Sequence, residues 1–236
     1  MAIKKRSDLK KFFASGSIPT ESNFADLIDS FVHIGEDNWI NQDDGLRVCS
    51  MGDNSKLMSF FKSINDKSPV FSLRKFPSDG SIYGLDLVNE NGESSLYIRG
   101  DGFVGVGSND PQCRLDIDGY VQSTGRRGTY KFGDIPGDGM WHVIVDSLTD
   151  CHVFEIVAKI NKPGKGMHSI IHAIAAGAFN GKCNEINVTK AYYDSRRDQI
   201  ELKWNGGNFN YRLEARTKRN YGENTSIKYY VTNLWW

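Results

Sequence analysis

The chain has 236 residues, and its 29 basic and 29 acidic side chains cancel to a formal net charge of zero. That balance argues against nucleic acid or an anionic membrane as the partner, and no apolar run approaches the length of a membrane span. A hydrophobic content of 39% suffices for a core, while 24 glycines and sparse helical periodicity point to β-structure with many turns, in one large or two small domains.

The basic start, Met1 to Arg6, is followed by no apolar stretch of the kind a secretory signal needs. The chain is therefore expected to be made in the cytoplasm, with any outward passage left to lysis or a dedicated machine. Residues 1–38 read as a helical segment. Ser7-Asp8 can cap a first helix through Leu9, Phe12 and Phe13 that ends at Gly16. Thr20 can cap a second; Asn23 stands where a capping box has Glu, and Glu21 suits the first turn. Phe24, Leu27, Ile28, Phe31 and Val32 follow at i, i+3, i+4, i+7 and i+8, an apolar stripe. Two helices this short cannot bury such a stripe alone and need copies, a partner or the β-domain to pack on.

Residues 39–107 carry short strand signals at 46–51, 57–62, 70–76, 82–88, 95–99 and 103–106. Turn residues separate them, among them Gly52-Asp53-Asn54, Pro77-Ser78-Asp79-Gly80 and Asn89-Glu90-Asn91-Gly92. Spacing of about ten residues marks a meander, sandwich or barrel.

Residues 96–121, LYIRGDGFVGVGSNDPQCRLDIDGYV, are the most telling stretch. Val104 and Val106 alternate with Gly105 and Gly107, so one strand face is apolar and the other bare. Glycine within a strand often marks close approach of another backbone, here expected to be that of a neighbouring chain. The glycine spacing, with Pro111 and no following helix, does not fit a dinucleotide-binding loop. An ordinary hairpin in a monomeric domain is the plain alternative, and Arg99-Gly100-Asp101 spells an integrin-type adhesion tripeptide.

The residues Gly105, Val106, Gly107, Pro111, Leu115, Asp116, Ile117, Gly119 and Val121 resemble a segment of tail fibres from phages and phage-like contractile injection systems. Residues 16–31, GSIPTESNFADLIDSF, look like the N-terminal segment of many such fibres. The resemblance implies a β-rich trimeric stem, a neck at Val104, Gly105, Val106, Gly107, Pro111, Leu115 and Ile117, and a distal domain. It also implies attachment to a baseplate or tail protein, or trimer nucleation, through Phe24, Leu27, Ile28 and Phe31. Asn109-Asp110 departs from the Thr or Ser the family often has before the proline.

Residues 108–138 are read as neck and linker, with the polar, Gly-rich run 122–138 as the boundary. Beyond it, 139–236 carry strand signals at 141–145, 153–160, 168–179, 185–192, 199–204, 211–216 and 227–234, with Gly206-Gly207 as a hairpin turn. The run Ile170 to Ala176 is apolar on both faces, as in a central strand. Such a count suggests an antiparallel β-sandwich, jelly-roll-like.

No catalytic or phosphate-binding motif is present. The pairs Asp116/Asp118 and Asp134/Asp138, and Cys151 with His142 or His168, remain as weak enzymatic alternatives. Cys49, Cys113, Cys151 and Cys183 are expected to be reduced, mostly buried thiols. A zinc site from Cys151, His152, His168, His172 and Cys183 lacks closely spaced ligand pairs, so neither metal nor cofactor is expected. Trp141, Trp204, Trp235, Trp236 and six tyrosines load the last domain with rings, at least half of them expected in a core or interface. Its polar–aromatic loops at 192–198 and 218–224 are the expected recognition surface, with Tyr192, Tyr193, Arg196, Arg197, Asn220 and Tyr221 as ligand-binding residues. The expectation is a mainly β, non-enzymatic homotrimeric fibre or spike on a virion tail or extracellular phage-like particle, touching a cell-surface glycan or protein. A plug or decoration without receptor binding is the alternative, and a glycan-degrading tailspike the third.

Overall fold

The computed structural model describes residues 4–31, 39–42, 45–49, 55–63, 65–78 and 82–235. Val32, Trp236 and the expected turns at 52–54 and 79–80 lie outside them. Among the described residues the molecule is mainly β, with two short helices. It divides into two compact units, 1–122 and 123–236.

In the first unit, α1 (Arg6–Phe12) and α2 (Glu21–Ile28) form a helical hairpin held by Leu9 and by an edge-on contact of Phe13 with Phe24 at 5.4 Å. Lys5, rather than Ser7, occupies the α1 N-cap, and the helix stops at Phe12, short of Gly16. At α2, Asn23 replaces the usual Glu: its Oδ1 accepts from the Thr20 N–H at 3.0 Å. Strands β1 (Trp39–Gln42) and β2 (Gly45–Val48) pair as a small ribbon.

The rest of the unit is a six-stranded sheet in sequential order: β3 (Lys56–Phe60), β4 (Phe71–Ser78), β5 (Ile82–Asn89), β6 (Ser94–Arg99), β7 (Val104–Val106) and β8 (Leu115–Ile117). Every pairing is antiparallel except β7–β8, which is parallel. One face holds its own lock. Asp86, fully buried, accepts from Arg74 Nε at 2.8 Å and from Ser94 Oγ at 2.7 Å. A buried carboxylate without such donors would be costly. Tyr97, also fully buried, lays its ring over Gly84, where a Cβ would stand 2.3 Å from the ring.

The opposite face carries two apolar rows in register. Leu73, Leu87, Leu96, Val106 and Ile117 align across five strands, and Leu85, Ile98, Val104 and Leu115 align across four. Leu85, Leu96, Ile98, Val106 and Leu115 are exposed. Sheets normally bury an apolar face against a second layer. Among the described residues no second layer covers these exposed side chains.

The second unit holds β9 (Lys131–Pro136), β10 (His142–Leu148), β11 (Cys151–Lys162), β12 (Met167–Ala178), β13 (Glu185–Tyr192), β14 (Ile200–Gly207), β15 (Asn210–Thr217) and β16 (Ser226–Asn233). They make a five-stranded sheet, β13-β12-β11-β16-β9, and a three-stranded one, β10-β15-β14, both antiparallel. Phe154, Ile156 and Ile160 of β11 and Ile171 of β12 share one core with Val145 of β10 and Leu213 of β15. Each contributes roughly 1.5–3 kcal/mol by burial.

Two expectations are corrected here. The boundary stretch 122–138 contains a strand, β9, paired with β16 from Val231↔Lys131 to Ser226↔Pro136. The turn between β14 and β15 is Asn208-Phe209, while Gly206 and Gly207 still pair in the ladder. Gly206 is needed at its own position, with φ +114° and a Cβ site 2.7 Å from the Asn210 carbonyl oxygen.

Candidate functional site

The two outer faces of the second unit differ in kind. On the three-stranded sheet, Glu201 pairs with Arg216 at 2.7 Å, and Glu214 with Arg212 at 2.7 Å and Lys203 at 3.1 Å. Trp141 lies between the Lys203 and Arg216 cations, at 4.3 and 4.4 Å from its ring centre. Burial alone would raise the Glu214 pKa. Hydrogen bonds from Asn205, Arg212 and Lys203 outweigh it and hold the carboxyl below its ordinary value. That face is satisfied by its own charges.

On the five-stranded sheet, strand alternation sends Val157, Ile170 and Ile174 outward, and all three are exposed. The apolar run on β12 does lie inside the sheet, between β11 and β13, but only one of its faces is covered. Glu155, at the middle of the outer face, accepts from His172 Nε2 at 2.9 Å and Arg126 at 2.6 Å. The His172 hydrogen bond is the largest cause of a Glu155 pKa below its ordinary value, partly opposed by burial. Arg127 lies over the Tyr230 ring at 4.8 Å.

At one end of this face is a shallow cleft of about 300 Å³, lined by Lys159, Asn161, His168, Ser169, Tyr192 and Tyr193 among others. The ladder carries on past β13 through Tyr193 N–H donating to the His168 carbonyl at 3.1 Å. Tyr193 stands edge-on to His168 at 5.8 Å, with 77% of its surface exposed. Behind it, Gly166 takes φ +62°, and a Cβ there would reach 3.5 Å from the ring. Tyr192 is half-buried opposite buried Ser169.

The six loop residues expected to bind ligand separate into three groups. Tyr192 and Tyr193 line the cleft. Arg196 and Arg197 are exposed in a 3-10 turn (Arg196–Asp198), and Asn220 is exposed with its Oδ1 accepting from the Gly222 N–H at 2.6 Å. Tyr221 is a correction: it is 1% exposed, and its hydroxyl donates to the Asp198 carbonyl at 2.6 Å. Burial, with Asp198 nearby, pushes its phenol up to about 12. Buried Asp198 also pairs with Arg219 and accepts from the Ser195 N–H at 3.0 Å, so the two loops are tied to each other there. Asp198 and Arg219 lie within the two loops expected to form the recognition surface without having been picked as ligand-binding residues, and the site residues outside every expectation are Lys159 and Asn161. The last two sit on β11, remote in sequence from the tyrosines they join.

In the first unit, the neck residues are corrected in one respect. Gly105 does meet a close backbone, but that backbone is its own turn: a Cβ would lie 2.1 Å from the Ser108 carbonyl oxygen. Gly107 takes φ +75° with the Asp118 carbonyl oxygen 3.2 Å from its Cβ site. The bare face is filled from within, whereas the Val104/Val106 face is the one left open. Pro111 is buried, and its carbonyl accepts from Arg99 at 3.3 Å. Leu115 is exposed and Ile117 half-buried. On the helices Leu27 is half-buried, while Phe24, Ile28 and Phe31 are 49, 63 and 65% exposed. Arg99 and Asp101 grip each other at 2.9 and 3.0 Å, which closes the adhesion tripeptide on itself.

All four cysteines are exposed, against the expectation of mostly buried thiols. Cys151 and Cys183 line one cleft with His152, yet no group of three or more His, Cys, Asp or Glu side chains gathers for a metal among the described residues. Of the carboxylates weighed for acid–base roles, Asp116 accepts from the Gln112 N–H at 2.9 Å and Asp138 bonds His142 Nε2 at 2.9 Å. Among the described residues no helix is long and apolar enough to cross a membrane.

No family model matches the chain, and no curated protein matches it. What fold and site define together is a mainly β chain of two units, one with exposed apolar rows on its sheet among the described residues and one with a polar–aromatic cleft.

Proposed function

We propose that the chain is a non-enzymatic, homotrimeric tail-fibre-like adhesin. Its helical hairpin attaches to a baseplate or tail protein, its six-stranded sheet and neck form the trimeric stem, and its second unit is the tip that touches a cell-surface glycan or protein. The observation that carries this is the pair of in-register apolar rows on the outer side of β4 to β8, with five of their nine residues exposed. Such a face calls for another layer. The resemblance of residues 96–121 to tail-fibre necks supplies the number three and the biological setting. A jelly-roll-like tip is supported by the passages from β9 to β10 and from β15 to β16, each of which moves from one sheet to the other.

Trimerisation would offset weak single-site affinity through avidity. The test is mass in solution. The whole chain is expected to run as a trimer at micromolar concentration, and a Leu85→Asp/Ile98→Asp double variant as a monomer with its secondary structure intact. A monomeric wild type overturns the proposal.

A further inference from the structure

The cleft beside Tyr193 carries a charge pattern that the fold does not need. Lys159 of β11 and Lys228 of β16 stand directly opposite each other in the ladder, and both are exposed. Like charges so placed destabilise a strand pair. Lys228 has Asp134 as its other neighbour, on β9, where Asp134 accepts from Ser226 Oγ at 3.3 Å. Among the described residues Lys159 has no ion-pair partner and no carboxylate lines the cleft. Glu155, the nearest acid along β11, is already shared between Arg126 and His172. The other sheet of the same unit, by contrast, matches Arg212, Arg216, Lys203 and Lys218 to Glu201 and Glu214.

We infer that this cleft takes an acidic saccharide. The Lys159 ammonium receives the sugar's carboxylate or sulfate, with Lys228 adding to the local field. The exposed Tyr193 ring packs on the apolar face of the sugar ring, and the Asn161 amide reaches its hydroxyls. The inference rests on the adhesin role proposed above and narrows its receptor to one chemical class.

The test is an array of neutral, uronic-acid, sialylated and sulfated oligosaccharides, probed with the full chain and with Lys159→Gln and Tyr193→Ala variants. Binding is expected only to acidic members, separately scored for carboxylate and sulfate. It should fall about tenfold in Lys159→Gln, and fall further at raised salt because exposed charges are screened. Lys159→Gln should melt no lower than the wild type, since it removes a like-charge pair. Neutral oligosaccharides bound equally well by wild type and Lys159→Gln would overturn the acidic assignment while leaving the adhesin role standing. No saccharide bound at all would overturn the assignment together with the glycan arm of that role.

Discussion

Tyr221 was expected at a loop tip and lies in the core, because its hydroxyl finds an acceptor at the Asp198 carbonyl. Tyr211 does the same with the carbonyls of Asp150 and Gly177, at 2.6 and 3.2 Å. A buried ring of this kind is tolerated when its polar end is satisfied. Burial raises both phenols from 10.0 to about 12, so the folded state holds their protons more tightly than the unfolded chain does. This support is complete below pH 10 and disappears as the pH climbs towards 12. Alkaline titration of the second unit's stability should therefore show a decline that begins near pH 10. Tyr221→Phe should flatten the decline while costing about 1 kcal/mol at neutral pH for the lost hydrogen bond. An unchanged alkaline slope in Tyr211→Phe/Tyr221→Phe would refute the assignment. From sequence, Tyr221 looked like a tip residue because Asn220, Gly222 and Asn224 surround it. Its burial depends on Asp198, 23 positions earlier in the chain, and no local pattern carries that contact.

Among the elements, the strands expected at 153–160 and 185–192 were legible, and they stand as β11 and β13. β9 was not, since Gly133 and Pro136 lie within a polar, Gly-rich run that reads as linker. Two features of its place explain the strand. It is an edge of the five-stranded sheet, where proline is tolerated. Gly133 sits beside the Tyr229 ring, with a Cβ site 3.4 Å from the phenol oxygen. The cleft was half legible: Tyr192 and Tyr193 are adjacent in sequence, whereas Lys159, Asn161 and His168 come from neighbouring strands that only the fold assembles. In the stretch expected to be a neck, β7 and β8 do form and pair, but the glycines serve the turn. Gly105→Ala would press a methyl group on the Ser108 carbonyl and should cost about 1–3 kcal/mol, measured as a lower denaturation midpoint of the first unit. A loss of trimer with an unchanged midpoint would return Gly105 to the interface.

For the whole molecule, the distribution of satisfied and unsatisfied surfaces sets the order of events. Asp86, Tyr97 and the second unit's core have partners within the chain, whereas, on the trimeric reading proposed above, the rows of Leu85 to Leu115 and Leu73 to Ile117 take theirs from other copies. Folding and association should then be separable. Refolding followed by fluorescence is expected to give a fast phase independent of protein concentration, followed by a slower one that quickens as concentration rises. A single concentration-dependent phase would mean that the chain cannot fold until it meets its copies.

On that trimeric reading, the parallel β7–β8 crossover would let the first of these phases run alone. Phe103 is held between the Arg99 and Arg114 guanidinium groups, at 4.4 and 5.3 Å from its ring centre, and Arg114 also donates to the Asp101 carbonyl at 3.0 Å. This clasp staples the short return loop to the strand it leaves, at a point set by one aromatic ring and two cations rather than by any visitor. On the same reading, a newly made chain would thus present its hydrophobic panel already in register. Crowded synthesis would reward that haste and also punish it, because a finished panel waiting for mates is equally ready to stick to a stranger.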